Sequence, residues 1–133
     1  MRCTFLSRIF LILISPLLLN IALAQNSSIS GTWSGSVSLN NGNQLPFVAI
    51  LEQEGELVSG ILQGIGGAPD VTIMDGSIEN DTVRFAGVRV IQGEDVRFDY
   101  IGTHVGDYIN FTIIRVGATG PNSVLNTMTS RQP

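Results

Sequence analysis

The sequence predicts an all-β fold: an eight-stranded antiparallel up-and-down meander that closes into a small barrel behind an N-terminal signal peptide. Three observations carry this reading. After residue 25, β-branched and aromatic residues recur in short runs separated by Gly, Asn, Asp and Pro. No stretch after residue 25 places apolar residues at helical spacing. A short motif also returns at equal intervals: Asn80-Asp81-Thr82-Val83-Arg84-Phe85, Gly93-Glu94-Asp95-Val96-Arg97-Phe98 and Gly106-Asp107-Tyr108-Ile109-Asn110-Phe111.

The leader is the first element. Met1-Arg2 and Arg8 make a basic start, Ile9 to Leu19 is apolar apart from Ser15 and Pro16, and Ala22-Leu23-Ala24 is a small-x-small site. This pattern is that of a secretory signal peptide, with cleavage expected after Ala24. Residues 1–24 are then the signal peptide and 25–133 a single β-barrel domain, secreted or periplasmic, with no transmembrane segment after cleavage. The apolar stretch is short for a membrane span and carries a proline. The single cysteine, Cys3, leaves with the leader. An exported domain without disulfides is held by core packing, which suits a bacterial export route.

Charge narrows the function classes. The chain of 133 residues has a net charge of −4, and all seven of its basic residues are arginines. Losing Arg2 and Arg8 makes it more acidic still. Nucleic-acid backbone binding needs clustered positive charge and is excluded on this count.

The strands follow in order: Thr32–Leu39, Leu45–Gln53, Leu57–Gln63, Val71–Ile78, Thr82–Ile91, Asp95–Thr103, Tyr108–Val116 and Val124–Ser130. Most gaps are tight turns built from residues that tolerate positive φ, such as Asn40-Asn41-Gly42-Asn43, Glu79-Asn80-Asp81, Gly93-Glu94 and Gly106-Asp107. The longest is Gly64–Asp70, loose at Gly66-Gly67 and stiff at Pro69.

In each repeat an apolar residue stands two before an aromatic, so both share one strand face. Phe47, Phe85, Phe98 and Phe111 are expected in one core, layered with Leu45, Val83, Val96 and Ile109. Arg84, Arg97 and Asn110 fall between them and face out. An open meander would expose two long edges, and closure removes them. Phe47–Leu51 and Ile113-Ile114 are apolar on both faces, which implies an outward strip and a possible homo-oligomer.

Gly31-Thr32-Trp33 at the start of the first strand resembles the Gly-x-Trp opening of lipocalins and avidin-like barrels, the calycin group. Leu57-Val58-Ser59-Gly60 resembles an early strand of the avidin-like proteins. The resemblance implies a calycin-like barrel whose first-strand Trp closes the floor under a late arginine. Arg115, inside a strand, is the choice for that arginine over Arg131. The chain is short for a lipocalin and has none of its cysteines, and the single tryptophan, where avidin-like sites use several, keeps biotin binding out of the reading. Gly31-Thr32-Trp33-Ser34-Gly35 and Gly106–Phe111 are also similar to small exported bacterial barrel domains of unassigned activity.

Catalytic chemistry finds little footing. His104 is the sole histidine and reads first as an exposed turn residue; a weak hydrolase would have to draw on it, with Ser77 and Asp99 or Asp107 nearby. Zinc is disfavoured with one histidine and no mature cysteine. Glu52, Glu54 and Glu56 lack the spacing of a calcium loop. Glu94, Asp95 and Asp99 read as surface acids rather than a glycosidase pair. No catalytic residue, metal site or cofactor is assigned. The leading expectation is a non-enzymatic barrel that binds a small apolar ligand through Trp33, Met74, Phe98 and Tyr100, with Trp33 alternatively sealing the floor as core. Tyr108, out of phase, is expected to be exposed. A structural or protein-interaction module with a packed interior is the alternative.

Overall fold

A computed structural model describes residues 28–133. The signal peptide and its cleavage after Ala24 lie outside the described residues. The described chain is all β, with nine strands: β1 (Gly31–Ser38), β2 (Gln44–Glu54), β3 (Leu57–Leu62), β4 (Val71–Thr72), β5 (Met74–Glu79), β6 (Thr82–Ile91), β7 (Glu94–Val105), β8 (Tyr108–Arg115) and β9 (Val124–Arg131). Every pairing is antiparallel; each strand pairs with its sequence neighbours, except that β4 and β5 both pair with β3 and not with each other, and β1 pairs with β9 to close the ring. The expected eight-stranded up-and-down barrel is therefore present.

The ninth strand comes from a break. The expected strand Val71–Ile78 divides at Ile73 into β4 and β5, which both run along β3. The cause is local. Asp75 adopts a left-handed φ of 55°, and the β5–β6 register shifts between Met74 and Ser77, as at a β-bulge. A side chain at Gly76 would collide with the Val58 carbonyl, so the bulge needs a glycine there.

The break leaves a slot in the wall. β5–β6 pairs run from Glu79↔Thr82 to Met74↔Ala86, and β4 pairs only with β3. Gly87–Ile91 of β6 thus has β7 on one side and no strand partner on the other.

The interior follows the period of two. Trp33 and Val37, Phe47, Ala49 and Leu51, Val83 and Phe85, and Ile109, Phe111 and Ile113 all point in and are buried. Three of the repeat phenylalanines are fully in the core, while Phe98 is partly buried against it. Arg84, Arg97 and Asn110 face solvent, and Tyr108 is exposed, as expected. In the strip Phe47–Leu51 the odd positions enter the core, and Val48 and Ile50 remain half-buried on the outer wall.

Candidate functional site

The two ends of the barrel are built differently. The end holding the hairpins β2–β3, β5–β6 and β7–β8 is sealed around Trp33, which is wholly buried. Its indole Nε1 donates to the Ile29 carbonyl (2.8 Å), so the segment before β1 folds across the opening. His104 meets the indole edge-on, with ring centroids 5.6 Å apart. Arg131 lies over the Trp33 ring, its guanidinium carbon 4.4 Å from the ring centroid. The same guanidinium donates to the carbonyls of Ser30 (2.6 Å) and Ser28 (2.8 Å) and stands 3.6 Å from Asp107.

This floor corrects two expectations. The arginine over Trp33 is Arg131 rather than Arg115, because β9 runs one residue past Ser130 and keeps Arg131 in the inward phase of Thr127 and Thr129. His104 is buried rather than exposed: β7 continues to Val105, which carries His104 inward in phase with Tyr100 and Gly102. Its Nε2 donates to the Gly106 carbonyl at 2.8 Å. Ser77 pairs with outward-facing Arg84 and is itself exposed, so it and His104 lie on opposite faces of the wall. Asp99 pairs outside with Arg97, and Asp107 faces Arg131. Among the described residues no three His, Cys, Asp or Glu side chains are grouped to hold a metal ion.

Above the floor lies an aromatic layer. Phe85 stacks on Tyr100 with centroids 4.9 Å apart, and Phe111 sits 5.5 Å from both Phe47 and Phe85. Gly102 makes this packing possible, since a Cβ there would stand 2.7 Å from Phe111 and Ile109 carbon atoms.

The opposite end is hollow. A cavity of about 510 Å³ extends from the aromatic layer to the rim and the β4–β6 slot. Tyr100, Phe98, Leu45 and Ile113 line it from the strands, and Ile65 and Pro69 line it from the Gly64–Asp70 loop. The loop is tied at its neck, where the Gly64 N–H donates to Asp70 Oδ1 (2.9 Å). Gly64 has to be glycine, because a Cβ would overlap the Ala68 carbonyl.

Of the four residues expected to line a ligand site, the structure brings Met74, Phe98 and Tyr100 to this cavity and places Trp33 at the other end. Met74 stands at the lip of the slot and is 38% exposed. Burial pushes the Tyr100 phenol above its ordinary range; nearby Arg89 pulls the other way without cancelling the effect. Arg89, on the cavity wall, is absent from the sequence-based site. Its signal was present in the alternation Val83, Phe85, Gly87, Arg89, which puts it on the inner face of β6.

Fold and site together define a class: a closed antiparallel barrel, solid at one end and hollow at the other. No family model matches the chain, and no curated protein matches it in sequence. A solved structure with the same fold is that of a redesigned β-barrel, mFAP1, bound to DFHBI. The two share 13% identity with a TM-score of 0.56, over 77% of this chain and 94% of the other. That likeness shows the fold, and the calycin-like outline agrees with it.

Proposed function

We propose that the protein is an exported, non-enzymatic barrel that takes up a small apolar molecule in its hollow half. The observation that carries this reading is the cavity: about 510 Å³, walled by Phe98, Tyr100, Leu45 and Ile113, beside a floor that is fully packed. Ligand pockets run to about 300–1,000 Å³ with mainly apolar linings and few polar groups. That a barrel of this fold was solved with DFHBI bound supports the fold's capacity for such a ligand. An interaction module with a packed interior matches only the closed half. The leader supports action outside the cytoplasm, and the mature mass and location of the expressed full chain test it.

The binding test is a titration of the purified mature protein with the neutral probe N-phenyl-1-naphthylamine. Enhanced, blue-shifted emission that saturates at one probe per barrel is expected. Leu45→Trp, which fills the cavity, is expected to abolish it, and Trp33→Phe, at the other end, to preserve it. Unsaturable emission, or emission indifferent to Leu45→Trp in a folded protein, would overturn the reading.

A further inference from the structure

Two half-buried arginines at the hollow end, Arg89 on β6 and Arg115 on β8, share the inward phase of their strands, and of the two only Arg89 lines the cavity. Among the described residues, Arg97 pairs with Asp75 and Asp99, and Arg131 with Asp107. Arg89 enters no ion pair, although it is half-buried on the wall of an apolar cavity. Asp70 also borders the cavity, but it is exposed, lies beyond ion-pair reach of Arg89, and has Oδ1 occupied by the Gly64 N–H. An arginine cannot shed its charge, and holding it away from water without a counter-ion is costly. The Tyr100 phenol lines the same cavity within interaction range of Arg89, and its hydroxyl is protonated at neutral pH, as a tyrosine's ordinarily is. The planar guanidinium fork offers donors only, and the phenolic hydroxyl on the adjacent strand can add one O–H donor beside it. A carboxylate accepts from both, and it matches the fork in two parallel hydrogen bonds.

We infer that the ligand is an amphipath with a carboxylate head, which Arg89 and the Tyr100 hydroxyl bind inside the cavity while its apolar tail lies against Phe98, Leu45 and Ile113. This rests on the cavity reading above and adds the ligand's chemical class. In a chain of net charge −4, such a head would find little attraction at long range. The selectivity therefore comes from the local donors.

The test compares three probes of equal tail length: decanoate, decanol and decylammonium, each displacing N-phenyl-1-naphthylamine from the mature protein. Decanoate is expected to bind about ten- to a hundredfold more tightly than decanol, the range of charge-assisted hydrogen bonds, with decylammonium weakest. Arg89→Gln is expected to bring decanoate down to the level of decanol and leave decanol unchanged, whereas Arg84→Gln, on the outer wall, changes neither. Should Arg89→Gln fail to fold, salt serves instead: added sodium chloride is expected to weaken decanoate and spare decanol. Equal binding of decanoate and decanol to the native protein would overturn the carboxylate inference and leave the cavity reading intact. Equal loss of both in a folded Arg89→Gln protein would do the same. No displacement by any of the three, together with no binding of the neutral dye, would overturn both.

Discussion

Arg131 shows how a single side chain closes one end of the molecule. Its guanidinium faces Trp33, satisfies two carbonyls of the incoming segment, and reaches toward Asp107. Asp107 is largely exposed, so that ion pair adds little; the stacking and the two charged hydrogen bonds matter more. Arg131→Met is expected to cost about 1–3 kcal/mol of stability, measured by urea unfolding, while probe affinity in the distant cavity stays unchanged. Gly31 belongs to the same device: a Cβ there would stand 3.1 Å from Arg131 Nη1. Tyr100 gives a prediction in pH. Its folded pKa is raised, so the native state holds the phenolic proton more firmly than the unfolded chain does. Its contribution is complete below pH ~10 and is lost as pH rises through the folded value. Tyr100→Phe is expected to flatten the alkaline loss of stability, checked by unfolding midpoints from neutral pH upward; an unchanged slope would remove Tyr100 as its source.

At the scale of elements, alternation made most of the barrel readable and bulges hid the rest. Strand positions and the inward phenylalanines follow directly from the period of two. The break at Ile73 does not, because Asp75 in a left-handed conformation reflects a tertiary demand: Gly76 must pass close to the Val58 carbonyl. Strand ends were equally hard to place. One residue more on β9 decides between Arg115 and Arg131, and two more on β7 bury His104. The cavity residues Phe98 and Tyr100 were legible from the repeat, whereas Trp33 shares their inward phase and differs only in height along the barrel axis, which alternation does not report. The Gly64–Asp70 loop was readable as flexible, but its place at the cavity was not. The loop lines the cavity, and its neck is held by one charged acceptor, the bond from the Gly64 N–H to Asp70. Asp70→Ala is expected to raise the probe dissociation rate several-fold by stopped-flow while changing the unfolding free energy by about 1 kcal/mol or less. An unchanged rate would mean that exchange runs through the β4–β6 slot instead.

The whole molecule depends on one seam. β1 pairs with β2 along all of Gly31–Ser38, but with β9 only at Trp33↔Arg131 and Ser34↔Ser130. Beyond those pairs the strands are joined by side chains and backbone of other geometry: Thr127 Oγ1 donates to the Ser36 carbonyl (2.8 Å), and the Gln132 N–H to the Thr32 carbonyl (2.8 Å). Gly35 sits in the middle of this contact. A Cβ there would overlap the Met128 carbonyl and stand 2.9 Å from Thr127 Oγ1. The segment Gly31-Thr32-Trp33-Ser34-Gly35 thus has one closing function: Gly31 admits Arg131, Trp33 carries it, and Gly35 lets β9 approach. The φ of Gly35 lies outside the left-handed region, so alanine there strains no backbone and acts only through that contact. Gly35→Ala is expected to part β1 from β9, because backbone rather than a flexible side-chain tip must give way. A cost of about 2 kcal/mol or more follows from the overpacking and the lost bonds. Parting the seam also turns a closed ring into a sheet with two free edges, and free edges recruit other chains. The variant should therefore show faster amide exchange in β1 and β9 than in β6 and β7, and a shift to larger species in light scattering that the parent protein does not show at the same concentration. If Gly35→Ala keeps the parent's stability and size, the side-chain bonds across the seam do not depend on this close approach, and closure rests on the Trp33 floor alone.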